Sequence, residues 1–280
     1  MPLLGGLFGK APAGPVRVPV ATVIPVAFRI YYQPRYPPLM AEDLRDRAHA
    51  WLDAHADDPL RSALHPVIES QDLDYTDMEK TAFPPPVEVL QKGSVGPEER
   101  HRLETAYQVT VITCRATPRV PMFGLWAALA AGRSAAMDLG GVMFDSVAVS
   151  LAPIAAQEER IAGGGTLRVA EHTGFHSAPA QAHAERWLTA GMAKFGLPEI
   201  EVLGPTGPPG HMAAILEALG QHLLDSVLAA NHGRPSPIEE LELPPDLTLQ
   251  VMGSPVPVQI AFSPARGLTA LPAEIAPNPG

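Results

Sequence analysis

The sequence predicts an α+β or α/β fold, in which helices pack on a mixed β-sheet. Short runs with alternating apolar residues, such as "YQVTVITCRA", are typical of half-buried strands. The segment "GHMAAILEALGQHLLDSVLAAN" repeats its apolar residues three and four positions apart, which predicts an amphipathic helix. The chain has 280 residues, 46% of them hydrophobic, and can bury a sizeable core. Its 32 prolines favour short elements joined by many loops.

The N-terminal part begins with a Gly- and Pro-rich segment, residues 1–15, that we expect to be flexible. Residues 16–34 follow as a β-rich run interrupted by Pro19 and Pro25. Prolines inside such a run indicate either an edge strand or a break between two short strands. Further on, the patterns predict helices over 40–56 and 58–70, and a loop followed by a strand over 82–93.

The middle of the chain predicts a strand–helix–strand unit. The strand 106–116 precedes a helix over 121–141, which has a proline at its start and two glycines at its end, the asymmetry expected of a helix. A strand over 142–153 completes the unit, and such units pack helices on a sheet.

The C-terminal part alternates predicted strands with one long helix. Residues 184–192 fit a helix or a strand equally well. The other expectations are a strand over 165–172, a strand over 199–204, a helix over 210–231, and strands over 247–253 and 256–262.

These elements predict four regions along the chain. Residues 1–15 are the flexible segment, and 16–104 form either a subdomain or the N-terminal part of the same fold. Residues 105–265 are expected to hold the core α/β domain, followed by a Pro-rich tail over 266–280.

Composition excludes several functional classes. The formal net charge is −10 with no basic run, which argues against nucleic-acid binding. Cys114 is the single cysteine, so no intrachain disulfide can form, which is typical of a cytoplasmic protein. The start lacks the basic region of a signal peptide, and we expect no membrane segment. The sequence indicates no cofactor and leaves the oligomeric state open.

The stretch "RWLTAGMAKFGLPEIEVLG" concentrates glycine, proline, aromatic and acidic residues. We interpret it as a tightly built corner, because Gly and Pro set unusual backbone angles there. Two carboxylates on one face of a half-buried strand are most simply explained as solvated acids, although such groups can also contact a ligand or serve acid–base chemistry. The candidate ligand-binding residues are Trp187, Thr189, Glu199 and Glu201.

A second candidate site is the His-rich segment "EHTGFHSAPAQAHAE". Imidazoles and carboxylates are metal ligands, so Glu171, His172, His176 and His183 form a candidate metal site. Their spacing does not match H-E-x-x-H, and a solvated loop is the alternative interpretation.

The corner also carries the pattern W-x-T-x-G-[LM]-x-x-F-G-x-P-[ED], and the Ala-rich helix ends in Gly-Gly-Val-Met-x-Asp. The residues that match are Trp187, Thr189, Gly191, Met192, Phe195, Gly196, Pro198 and Glu199, with Gly140, Gly141, Val142, Met143 and Asp145. On these motifs, residues 105–230 resemble a family of bacterial domains of unknown function. The resemblance implies no activity and no catalytic residues.

No catalytic constellation emerges from the motifs, since G-x-S-x-G and G-K-[ST] are both missing from the sequence. We therefore expect a soluble bacterial protein that binds another protein or a small ligand without catalysis. The alternatives are a metal-dependent hydrolase that uses the histidine segment and a sensor of a small ligand.

Overall fold

The computed structural model describes residues 14–34, 40–69, 73–86, 95–116, 123–151, 167–179, 184–205, 208 and 210–272. The strands are β1 Val16–Pro19, β2 Ile24–Tyr32, β3 Leu73–Glu79, β4 Gln108–Ala116, β5 Val142–Asp145, β6 Ser150–Leu151, β7 Gly174–Ala178, β8 Ala184–Ala190, β9 Ile200–Pro205, β10 Glu240–Leu243, β11 Asp246–Val251, β12 Ser254–Ser263 and β13 Gly267–Pro272. The helices are α1 Ala41–His55, α2 Asp58–Glu69, α3 Pro97–Thr105, α4 Phe123–Leu139, α5 Val169–His172 and α6 His211–Asn231, with 3₁₀ turns at Lys80–Ala82 and Met192–Phe195. The fold is α+β, as the sequence predicted.

The chain divides into two compact units. The first comprises the described residues of Met1–Thr22 and Arg168–Gly280, and the second those of Val23–Leu167. The first unit is therefore discontinuous in sequence, because β1 from the N-terminal segment pairs antiparallel with β10 from the C-terminal part.

The second unit is built on an antiparallel sheet with the order β3-β4-β2-β5-β6. Helix α4 packs on β2 and β4, and α1 and α2 pack against α4. Alternate residues of β2, such as Phe28, face α4. The opposite face carries a smaller apolar cluster with α3, made of Tyr31, Val95, Leu103, Ala106, Val109, Val142 and Phe144.

The first unit is built on a mixed sheet with the order β11-β12-β13-β9-β8-β7, in which only β13 and β9 are parallel. Helix α6 packs on β8, β9 and β11 through the apolar face that the sequence predicted. Among the described helices, α6 alone has the length and composition of a membrane span. Most of its large apolar residues are buried, as in a core helix, and Leu228 is half-buried.

Most predicted elements are confirmed, and several expectations are wrong. The break in the first β-rich run exists, but β2 is an interior strand, with Pro25 near its start. The strand expected over 142–153 is interrupted, because within its described part, 142–151, the chain turns after Asp145 and forms the short strand β6. The ambiguous segment is strand β8. The strand expected over 82–93 lies mostly outside the described residues.

The predicted regions also differ from the structure. The expected core 105–265 is split, because β4, α4 and β5 belong to the second unit through their pairing with β2. The expected tail 266–280 begins with β13, which lies in the interior of the six-stranded sheet between β12 and β9. Residues 1–13 and 273–280, expected to be flexible or a tail, lie outside the described part.

Candidate functional site

The corner between β8 and β9 is formed by backbone angles that glycine adopts readily. Gly191 follows β8 with φ 119°, and Gly196 ends the 3₁₀ turn Met192–Phe195 with φ 75°. Both angles lie in the region that other residues avoid. Met192 and Phe195 are fully buried, so the turn is also a part of the core. The structure thus brings the motif residues together as a compact turn.

The carboxylate of Glu199 closes this corner. Its Oε2 atom accepts hydrogen bonds from the Thr189 hydroxyl at 2.7 Å and from the Met192 N–H at 3.3 Å, and its Oε1 atom accepts one from the Gly191 N–H at 2.9 Å. The Thr189 hydroxyl also accepts a hydrogen bond from the Ile200 N–H at 2.7 Å. These two candidate residues therefore bond to each other and to the backbone of the turn.

Glu201 has a different environment from the one expected. The sequence favoured a pair of solvated acids on one strand, but Glu201 is only 4% exposed. It lies opposite Leu188 on one side and Thr269 on the other, on an interior strand, and its carboxylate accepts a hydrogen bond from the Arg186 guanidinium. The expectation is wrong because β13, which covers the second edge of β9, was read as part of a tail.

Trp187 lies in β8 between Ser177 and Val202. Its indole N–H donates a hydrogen bond to Glu185 Oε2 at 3.1 Å. The four candidate ligand-binding residues thus lie on the adjacent strands β8 and β9 or directly before β9, and each has a polar partner within the first unit.

The histidine segment is folded, so the alternative of a solvated loop is wrong for its described part. Residues expected as a strand form α5, in which Glu171 is exposed and His172 is buried, and His176 lies in β7 paired with Leu188. Among the described residues, no group of three or more metal-ligating side chains is arranged to hold an ion. His183, the fourth proposed ligand, lies outside the described residues.

Two residues with unusual backbone angles were not singled out by the sequence analysis. Met252, in the turn between β11 and β12, has φ 50°, and Val149, in the turn between β5 and β6, also has φ 50°. Both side chains are exposed. The sequence does contain a local pattern that predicts the turn at Met252. Met252 and Gly253 stand between two runs of alternating apolar residues, as the two central residues of a hairpin turn do.

Comparison with known proteins gives no relative: no family model, no curated protein and no solved structure matches the chain. The resemblance of the corner motif to a bacterial domain family therefore stays a prediction.

Proposed function

We propose that the protein is a non-catalytic binding protein, and that the turn at Met252 contacts a partner protein. The observation that carries the proposal is an exposed apolar side chain held on a strained backbone. Met252 is 79% exposed, so its side chain gains little from packing within the fold. A strained residue without internal compensation is a reason to look for a function.

The strain at this turn has an estimable cost. Met252 and Gly253 both have positive φ, 50° and 82°, as a type I′ turn requires. Asn or Asp is favoured at the first of these positions, whereas the left-handed conformation costs other residues about 1–2 kcal/mol. Methionine is therefore not the residue that stability would select there. Its flexible, polarisable side chain is suited to irregular apolar surfaces on other proteins.

The hairpin of β11 and β12, which carries this turn, is packed into the core of the first unit. Leu249 and Val251 of β11, and Val256 and Val258 of β12, are buried on the face that packs toward α6. A rigid support lowers the entropy that a contact residue loses when it binds. The hairpin thus presents Met252 at a fixed position.

The second unit carries a similar feature. Val149 is β-branched, and positive φ is a genuine outlier for such a residue. The turn is held by the Asp145 carboxylate, which accepts hydrogen bonds from the backbone N–H groups of Val147 and Ala148, both at 2.9 Å. Each unit therefore presents one exposed apolar residue on a strained turn.

The test is the substitution Met252→Asn. Asparagine fits the type I′ position, so we expect the free energy of unfolding to rise by about 1 kcal/mol while partner binding is lost. Crosslinking and quantitative affinity purification from the native cells would measure binding, and urea denaturation would measure stability. The matched control is Met137→Gln, which replaces another exposed methionine, on α4.

The expected result is a partner protein that wild type and the control retain and that Met252→Asn recovers at least about tenfold less, as in the loss of a contact worth about 1.4 kcal/mol. Equal recovery with all three proteins would contradict the proposal.

The hypothesis of a metal-dependent hydrolase gains no support from the described histidines, which are not grouped around an ion position.

A further inference from the structure

Arg29 lies in β2 on the face of the second unit's sheet that points away from α4. Its guanidinium carbon is 5.0 Å from the ring centre of Phe83 and 5.9 Å from that of Phe144. Arg29 pairs with Val111 on one side and Phe144 on the other, so it stands in the interior of the sheet. The side chain is half-buried among aromatic rings rather than extended into solvent.

The positive charge of Arg29 has no carboxylate partner among the residues that the structure describes. Some half-buried arginines do have one, since Arg47 pairs with Asp138 and Arg186 pairs with Glu201, whereas Arg45 and Arg100, like Arg29, form no ion pair among the described residues. A partly desolvated cation without a counter-charge is unfavourable, and each ring offsets only about 0.5–2 kcal/mol. Acidic groups are abundant in the chain, whose formal net charge is −10, yet none of those that the structure describes forms an ion pair with Arg29.

Tyr31 is a polar neighbour that hydrogen-bonds to the Arg29 guanidinium without supplying a negative charge. Tyr31, two positions along β2, is buried, and its hydroxyl donates a hydrogen bond to the Phe83 carbonyl oxygen at 3.0 Å. Burial raises the pKa of Tyr31, although its hydrogen bond to Arg29 acts in the opposite direction. The hydroxyl therefore stays neutral at physiological pH, and it positions the segment that carries the Phe83 ring.

The donors of Arg29 that do not bond to Tyr31 set the chemistry of a ligand. A guanidinium has five N–H donors in a fork that matches a carboxylate. A phosphate group carries about 1.5–2 negative charges at neutral pH, more than one guanidinium neutralises. Phe83 is 39% exposed beside the cation and offers an apolar surface. A carboxylate attached to an apolar group meets both features.

We propose that Arg29, between Phe83 and Phe144, binds the carboxylate of a ligand whose apolar part lies against the Phe83 ring. The carboxylate belongs either to a small organic acid or to the C-terminus of a peptide. This site is distinct from the Met252 turn, and neither proposal depends on the other.

Isothermal titration with sodium benzoate, sodium acetate and inorganic phosphate, at an ionic strength fixed with sodium chloride, tests the proposal. Wild type is compared with Arg29→Met and Arg29→Lys, and with Arg115→Met as the control. Arg115 lies on the same sheet face and is exposed, so its substitution removes the same charge without touching the aromatic pair.

We expect saturable benzoate binding to wild type and to Arg115→Met, at least tenfold weaker binding to Arg29→Met, and an intermediate loss for Arg29→Lys. Acetate and phosphate should bind more weakly than benzoate. Phe83→Ala, at a partly exposed position, should weaken benzoate binding while leaving acetate binding unchanged, and it provides a test if Arg29→Met does not fold.

A pentapeptide ending in a phenylalanine carboxylate, compared with its C-terminal amide, distinguishes the two sources of the carboxylate. Tighter binding of the acid peptide than of benzoate indicates a chain terminus, and equal or weaker binding indicates a small acid.

The proposal is overturned if wild type binds no carboxylate saturably, if phosphate binds more tightly than benzoate, or if Arg29→Met and Phe83→Ala both leave benzoate affinity unchanged.

Discussion

The substitution Glu199→Gln tests whether the corner between β8 and β9 is a structural unit. The carboxylate accepts three hydrogen bonds, from Thr189, Gly191 and Met192. A glutamine in either orientation places an NH₂ group against at least one of these donors, so at least one donor is left without an acceptor. An unsatisfied buried donor costs about 1–3 kcal/mol, and the remaining bonds lose their assistance from charge.

We therefore expect Glu199→Gln to lower the free energy of unfolding of the first unit by about 3 kcal/mol. The corresponding fall in Tm is roughly 6–12 °C for a domain of ordinary size. Differential scanning calorimetry is the suitable assay, because two units can unfold in separate transitions and only that of the first unit should move.

The matched control is Glu217→Gln, at an exposed position of α6, which should change stability by less than about 0.5 kcal/mol. Wild-type stability of Glu199→Gln would refute the reasoning. It would mean that the hydrogen bonds of Glu199 are dispensable for folding and would favour the interpretation of Thr189 and Glu199 as ligand-binding residues.

Two further predictions concern a glycine and a tyrosine. Gly267 and Gly233 both have positive φ, but only at position 267 would an added Cβ lie 2.5 Å from a backbone atom, the Glu199 carbonyl oxygen. In urea denaturation, Gly267→Ala should therefore destabilise the first unit more than Gly233→Ala does, by at least about 1.5 kcal/mol. Equal losses of stability would contradict this. Burial raises the pKa of Tyr75 to about 12, so the folded state keeps a proton that the unfolded chain loses above the ordinary tyrosine value of 10.0. The stabilisation is therefore present below pH 10.0 and is lost as the pH rises towards about 12. Tyr75→Phe should remove one tyrosine's share of the absorbance change at the alkaline end of a titration; an unchanged titration curve would contradict this.

The sequence predicted the elements whose signals are local. The spacing of its apolar residues predicted helix α6. Gly191 and Gly196 predicted the corner, because glycine adopts positive φ readily whatever its surroundings. The resemblance of the corner motif to a bacterial domain family predicted no further element of the fold. The role of Glu199 was out of reach, since its partners are the backbone N–H groups of a turn whose geometry only the folded chain defines.

Errors arose where the partner of a segment is distant in sequence. Helix α5 begins with the Val169 N–H bonded to Gln221 Oε1 at 3.0 Å, a contact across 52 positions that no local pattern announces. The environment of Arg29 likewise depends on Phe83 and Phe144, which reach it from separate parts of the chain.

By itself the sequence determined the α+β class, most helices and strands, and the glycine corner, because these depend on periodicity and on residues close together in the chain. Only the tertiary structure decided that β13 is an interior strand, that Glu201 is buried beside it and that β1 joins the C-terminal part. The physical reason is that sheet hydrogen bonds and burial are set by neighbours in space, and the chain brings those neighbours together only when loop closure is compensated by packing.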